Sequence, residues 1–213
     1  QLQRHDLILN LVQEHGFITI DELVERFQVA PQTIRRDLNQ LADEKKLLRH
    51  HGGAGAVTNT ENESYSNRQI QNLHAKEKIA KEVAKIIPDG ASVFINIGTT
   101  TETIAKELLN HKNLLVVTNN INVASILSQK DDFTVIIASG EVRAKDGGII
   151  GETTCDFIEQ FRTDFGIIGI SGVSEDGSLL DFDYREVRVA QAIIKNSAKV
   201  LLAADQSKFG RNA

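Results

Sequence analysis

The run Pro31-Gln32-Thr33-Ile34-Arg35-Arg36-Asp37-Leu38-Asn39-Gln40-Leu41 carries an apolar stripe and a polar face at helical spacing. Pro31 suits the first position of a helix, where its missing N–H has no partner to lose. Ile34, Leu38 and Leu41 follow at i, i+4 and i+7, one side of a 3.6-residue turn. With Ile34 turned inward and about 100° per residue, Gln32, Arg36, Asn39 and Asp43 fall on the opposite face, and Thr33 and Arg35 flank it. Arg pairs bidentately with guanine edges in the major groove, and Asn or Gln with adenine. Arg35 has a second reading as a phosphate contact, which gives affinity without sequence information. The competing reading of the whole face is a solvated surface with Arg35 and Arg36 paired to Asp37 or Asp43.

The flanking segments favour DNA. Upstream, Leu7, Ile8, Leu11 and Val12 make one stripe of a helix over 2–15, with Gly16 as its stop. Thr19 and Glu22 have capping-box spacing and predict a second helix over 20–27, burying Leu23, Val24 and Phe27. A brief turn, Gln28-Val29-Ala30, then leads to Pro31, which is helix-turn-helix spacing. Downstream, the helix ends near Lys45-Lys46, where cations complement the dipole. Leu47-Leu48-Arg49-His50-His51 reads as a strand that returns through Gly52-Gly53-Ala54-Gly55-Ala56-Val57 as a hairpin wing. Arg49, His50 and His51 suit backbone or minor-groove contacts, so residues 31–51 form the DNA-reading part.

Net charge is −5 over 213 residues, yet phosphate attraction needs a basic face and not a basic protein. Between 35 and 51 there are five Lys/Arg, at 35, 36, 45, 46 and 49, against three acids, at 37, 43 and 44. The composition is that of a globular chain of one or two domains, and no apolar run approaches the length of a membrane helix. A lone Cys155 excludes an intrachain disulfide framework and fits a reducing cytoplasm; it reads as a small semi-buried side chain and not as a nucleophile. The N-terminus has no secretory-signal pattern, and the absence of methionine implies that the natural start precedes Gln1.

Residues 58–72 are polar and aperiodic, a linker passing into a helix with Ile79, Val83, Ile86 and Ile87 on its apolar face, ended by Pro88-Asp89-Gly90. Beyond it, strands at 93–97, 114–118, 134–138, 165–170 and 200–204 alternate with helical patterns near 102–110, 121–129, 153–161 and 184–197. This alternation predicts a mainly parallel α/β sheet. The expected organisation is a winged helix-turn-helix over 1–57, a linker over 58–74 and a sensor domain over 75–213.

In such sheets ligands sit at the carboxyl ends of strands. Gly98-Thr99-Thr100-Thr101 joins a strand to a helix start, where backbone N–H groups, the dipole and hydroxyls favour an anion; the competing reading is an ordinary Thr-capped turn. No Gly-Lys-Ser/Thr follows, so it is not a P-loop. Other strand ends bring Asn119 and Asn120, Ser139-Gly140-Glu141, and Asp205 through Lys208, with Lys208 a point charge for phosphate. Asp181, Asp183 and Glu186 are acceptors for ligand hydroxyls or, on the simpler reading, solvated charges. Gly147 through Gly151 reads as a flexible lid or a turn. No Cys/His set has metal-ligand spacing, and no Gly-x-Ser-x-Gly elbow is present.

The run Pro31 through Leu38, with Leu48-Arg49-His50-His51-Gly52-Gly53-Ala54, resembles the DeoR family of bacterial repressors. One departure is Ala30, where the family carries Ser as the helix cap. The C-terminal part is similar to the family's sensor domain, whose fold is shared with ribose-5-phosphate isomerase and the CoA transferases. Asp146 through Glu152, Phe161 through Gly166, Asp176 through Leu180, Phe182 through Arg188 and Ser207 through Ala213 are most similar to members governing glycerol and glycerol 3-phosphate catabolism. The resemblance covers the whole chain and implies a cytoplasmic, tetrameric repressor, released from operator DNA by glycerol 3-phosphate, with no cofactor or membrane association. It also implies a chain that continues past Ala213. Another sugar phosphate as effector is the nearest alternative. A sugar-phosphate isomerase is a further one, although the comparable strand end, Gly169-Ile170-Ser171-Gly172, has none of the carboxylates that proton transfer there needs.

Overall fold

The computed structural model describes residues 2–15, 17–50, 52–55, 65–211 and 213, with backbone alone at 2, 3, 13–15, 17, 48, 50, 66 and 67. The chain divides into two compact units, Gln1–Glu61 and Asn62–Ala213.

In the first unit, α1 (Leu2–His15) leads through β1 (Phe17–Thr19) to α2 (Ile20–Phe27) and α3 (Pro31–Asp43), then β2 (Leu48–His50) and β3 (Gly53–Gly55). The capping box forms as its spacing predicts. Glu22 N–H donates to Thr19 Oγ1 at 3.2 Å, and Thr19 N–H donates to Glu22 Oε2 at 2.7 Å. Pro31 opens α3, and Ala30 provides no side-chain cap. Ile8, Leu11, Val12, Leu23, Ile34, Leu38, Leu41 and Leu47 close one core. Each such side chain contributes about 1.5–3 kcal/mol on burial. Two expectations change. Leu7 is half exposed, because the stripe of α1 is centred on Ile8, Leu11 and Val12. The wing is three-stranded, β1-β3-β2, since residues 17–19 supply a strand before the cap of α2. Ala54 lies opposite Ile18 on one side and Arg49 on the other.

The second unit begins with α4 (Tyr65–Ile70) and α5 (Leu73–Ile86), followed by β4 (Ser92–Ile95), α6 (Thr99–Leu108), β5 (Leu115–Thr118), α7 (Ile121–Leu127) and β6 (Thr134–Ile137). A hairpin of β7 (Glu141–Arg143) and β8 (Gly148–Ile150) precedes α8 (Glu152–Ile158) and β9 (Thr163–Ile168). A second hairpin, β10 (Gly172–Val173) with β11 (Leu179–Leu180), precedes α9 (Tyr184–Lys195), β12 (Ser197–Leu202) and a 3₁₀ turn at Gln206–Lys208.

Five strands pair in parallel in the order β12-β9-β4-β5-β6. Both faces of the central strands are covered, as parallel strands require, while Val200, Leu202 and Ile137 on the edge strands stay exposed. Val93 and Ile95 face a layer with Val83, Ile104, Leu108 and Leu127, while Phe94 and Val117 face Ile158, Val189 and Ile193.

Part of the segment expected as linker belongs to this unit: α4 is helical and bonded to α6 through Tyr65 and Glu102. Residues 56–64 lie outside the described residues. The stretch 147–151 is not a lid. Gly148, Ile149 and Ile150 are buried in a hairpin, and a Cβ on Gly148 would lie 2.6 Å from Ile97 Cδ1. Glycine is required there by close packing.

Candidate nucleic-acid interface and effector cleft

The face of α3 opposite its core stripe is exposed at Gln32, Arg35, Arg36 and Asn39, with Thr33 half-buried at its edge. Arg35 does not pair with Asp37 or Asp43; its Nη1 donates to Gln32 Oε1 at 3.4 Å. Asn39 Oδ1 accepts from Arg49 Nε at 3.2 Å, and the same guanidinium reaches Gly53 O within the wing. The wing and the reading helix therefore share one polar surface. The His50 side chain and His51 lie outside the described residues.

Asp37 does not belong to that surface. It is 1% exposed and faces α1, where Arg4 Nε donates to Oδ2 at 2.6 Å and His5 Nε2 lies 3.1 Å from Oδ1. Burial pushes its carboxyl up, but the bonds from Arg4 and His5 outweigh this and hold it below the usual carboxylate range. The triad ties the reading helix to the N-terminal helix. Its signal in the sequence was faint, because a carboxylate in an amphipathic helix ordinarily faces water.

In the second unit, β4 sits between β5 and β9, so the chain leaves β4 toward one edge and later returns to its other side. This is a topological switch point, where carboxyl-end loops diverge and leave a crevice. The loops after β4 and β9 line it with Gly98, Thr99, Thr100, Gly169, Ile170 and Ser171. Arg68, Asp181, Phe182, Glu186, Lys208 and Arg211 complete the walls. Gly98 has φ +145°, which turns the chain from β4 into α6.

Six expected residues thus share the cleft: Gly98, Thr99, Thr100, Asp181, Glu186 and Lys208. Thr101, Asn119, Asn120 and Asp183 do not line it, nor do the Ser139–Glu141 and Asp205–Ser207 stretches. Thr101 is fully buried and donates to Asn96 O at 2.8 Å and Gly98 O at 2.7 Å, which shapes the loop from behind. Asn119 Nδ2 donates to Ile149 O at 3.1 Å. Asn120 caps α7 and donates to Glu102 Oε1 at 3.1 Å. Asp183 caps α9 and pairs with Arg185. Loops leaving a parallel sheet free backbone groups that must be satisfied, and these four polar side chains satisfy or brace them. Arg68 and Arg211 were missed, because topology and not local pattern brings them to the cleft.

The acidic wall is structured. Arg143 donates to Glu186 at 2.7 Å and takes both oxygens of the buried Asp146 at 2.9 and 2.7 Å. Asp181 accepts from Ser171 N–H at 3.0 Å, and burial, reinforced by Glu186, pushes its carboxyl up to about 6. Behind the basic wall the buried Lys76 amine donates to Arg68 O, and burial followed by repulsion from Lys208 lowers it to about 8. Cys155 is half-buried and its thiol is pushed up by burial, which disfavours the nucleophilic thiolate. Among the described residues no group of His, Cys, Asp or Glu has a metal-binding arrangement, and no helix is long and apolar enough to cross a membrane.

Residues 4–60 match the DeoR-like helix-turn-helix domain, and residues 71–213 match the DeoR C terminal sensor domain. The chain is 57% identical to the glycerol-3-phosphate regulon repressor of Escherichia coli (strain K12), over 100% of this chain and 84% of that one. Among solved structures, ribose 5-phosphate isomerase A from Methanocaldococcus jannaschii aligns at 14% identity and TM-score 0.48, over 65% of this chain and 55% of that one. The eIF2B delta structure from Chaetomium thermophilum aligns at 14% identity and TM-score 0.51, over 86% of this chain and 58% of that one. At such identities a structural likeness shows the fold alone. With a helix-turn-helix unit, an α/β sensor unit and both family domains matched along its length, the chain belongs to the DeoR family of transcriptional repressors.

Proposed function

We propose that the protein represses genes of glycerol and glycerol 3-phosphate catabolism and is released from its operator when glycerol 3-phosphate occupies the cleft at the switch point. The observation that carries this reading is the cleft's division of charge. Lys208, Arg68 and the Gly98–Thr100 loop stand for an anion, and Asp181 and Glu186 stand for hydroxyls. A short phosphorylated polyol carries both kinds of group. The relative from Escherichia coli supports the choice of glycerol 3-phosphate among such compounds. On the DNA side, Gln32, Arg36 and Asn39 read bases, Thr33 and Arg35 flank them, and Arg49, His50 and His51 hold the backbone. The working form is a cytoplasmic homo-oligomer, a tetramer, that presents paired reading heads and needs no cofactor.

Catalysis is not part of this reading. The loop after β9, Gly169-Ile170-Ser171, brings no carboxylate to the cleft, Glu186 is bonded to Arg143, and Asp181 accepts from Ser171. These bonds orient the two carboxyls as acceptors for ligand hydroxyls, and the strand end that would carry a base for proton transfer has only Gly169, Ile170 and Ser171.

Ligand shifts the operator equilibrium only by its differential affinity for the two conformations. The test is fluorescence anisotropy of labelled promoter DNA from glycerol catabolic genes, titrated with glycerol 3-phosphate. Release is expected; retention at saturating ligand rules out this effector. A thermal-shift panel of phosphorylated metabolites then identifies which compound binds the native state.

A further inference from the structure

We propose that Arg68 is an anion ligand of the cleft and the residue through which occupancy of the cleft is passed to α4, the first described element after the DNA-reading unit. The proposal rests on the reading that a phosphorylated effector fills the cleft.

Arg68 lines the cleft yet is poorly satisfied within the protein. Its buried Nε has no hydrogen-bond partner among the described residues. Its one ion pair among the described residues is long, 3.6 Å from Nη2 to Asp146 Oδ2, and it competes there with Arg143, which already holds both oxygens. A guanidinium presents five donors in a fixed fork, and a buried donor without an acceptor is costly. A phosphate presents the matching oxygens, and Arg–phosphate pairing is commonly bidentate.

The surroundings carry surplus positive charge. Lys76, 4% exposed, lies beneath Arg68 O, and both Lys208 and Arg68 repel its ammonium. Asp205 and Glu102 offset this only in part. An anion between Arg68 and Lys208 relieves that crowding. Asp146 is the resting partner and the anion is the stronger one, so filling the cleft draws the guanidinium away from Asp146.

The backbone of α4 follows its side chain because the helix is only six residues long. It is held at its other end by Tyr65, whose hydroxyl donates to Glu102 Oε2 at 2.7 Å and accepts from Asn122 Nδ2 at 2.9 Å. A pull at Arg68 against a fixed Tyr65 reorients the helix that the chain enters from residues 62–64.

The experiment compares full-length wild type with Arg68→Gln and Arg68→Lys. Operator affinity is measured without ligand and at saturating glycerol 3-phosphate, and phosphate binding by thermal shift. Arg68→Gln is expected to weaken glycerol 3-phosphate roughly tenfold or more, and to bring the ratio of the two operator affinities toward one even at ligand saturation. Arg68→Lys, which keeps the cation, is expected to recover part of both. A merely structural role shifts melting temperature and leaves that ratio at its wild-type value, and this result overturns the proposal. If wild type is not released by glycerol 3-phosphate, the effector assignment fails, and inorganic phosphate tests Arg68 separately. Stabilisation of wild type but not of Arg68→Gln upholds the anion role; equal stabilisation, or none, refutes it. If Arg68→Gln does not fold, hydrogen exchange on wild type takes its place, and unchanged exchange over residues 65–70 on adding ligand refutes the coupling.

Discussion

Replacing Asp37 with Asn tests whether the reading helix depends on a buried charge. The substitution keeps the shape and removes the carboxylate that receives Arg4 and His5. An Asn oxygen can still accept from Arg4, but the charge is gone, and its NH₂ then meets His5 Nε2, which accepts only if the imidazole changes tautomer. Hydrogen bonds to charged groups contribute about 1.5–3 kcal/mol, and breaking one partner of a buried pair costs about 3–5 kcal/mol. Arg4 retains some solvent contact, which sets the expectation near the lower end, about 2–3 kcal/mol. A unit spanning Gln1–Glu61 has only about 3–9 kcal/mol in total at typical stability per residue. The loss is therefore a large share of what keeps α3 folded. Urea denaturation of the full chain, followed by hydrogen exchange over residues 31–43, reads it directly. Arg4→Met with Asp37→Asn completes a double-mutant cycle. The pH dependence has a definite sign. The folded carboxyl lies below its unfolded value, so its contribution is complete above about pH 4–5 and is lost as pH falls through the lowered folded value. A change below about 0.5 kcal/mol, typical of surface substitutions, or a unit that keeps its stability in acid, refutes the clamp.

Four further outcomes are expected. Arg36→Ala, at a side chain with no ion pair among the described residues, weakens specific operator binding by about 1–3 kcal/mol, whereas a phosphate role for Arg35 shows as a shallower salt dependence, by about 0.9 in slope, in Arg35→Ala; anisotropy over a salt series separates them. Gly148→Ala drives a methyl into Ile97, which precedes the Gly98 loop, and is expected to cost about 1–3 kcal/mol of stability with weakened ligand binding. Asp181→Asn removes a carboxyl whose folded value is raised to about 6. The folded state holds that proton more tightly than the unfolded one, so wild-type stability falls as pH rises from about 4 to 6, and the variant's advantage grows over that window in denaturant melts.

The reading helix was legible because its core face repeats at one period and its start has a proline; Ile34, Leu38 and Leu41 are all fully buried. The Thr19–Glu22 box was legible for the same reason, since both partners lie within one turn. The parallel sheet followed from alternation, with strand ends shifted by at most three residues. Asp37 was not legible, since its partners lie on another helix more than thirty residues upstream. The cleft was half legible. Gly98 through Thr100 announce a loop at a strand end, but only the fold distinguishes them from Thr101, Asn119 and Asn120, which brace it. Arg68 sat in a polar stretch read as linker, where nothing local marks a cation that faces a crevice.

The strand order sets when each unit can form during synthesis. Val93 in β4 pairs with Val116 in β5 on one side and with Phe165 in β9 on the other. The central strand therefore stays half-paired until most of the chain has left the ribosome. The first unit closes its core entirely within residues 8–54. Domains fold as units, N-terminal first, and distant pairings are slow to form. A nascent chain thus acquires its DNA-reading head before its sensor exists. During that interval the helix-turn-helix unit is folded while β4, which leads into the cleft loop, still lacks its β9 partner.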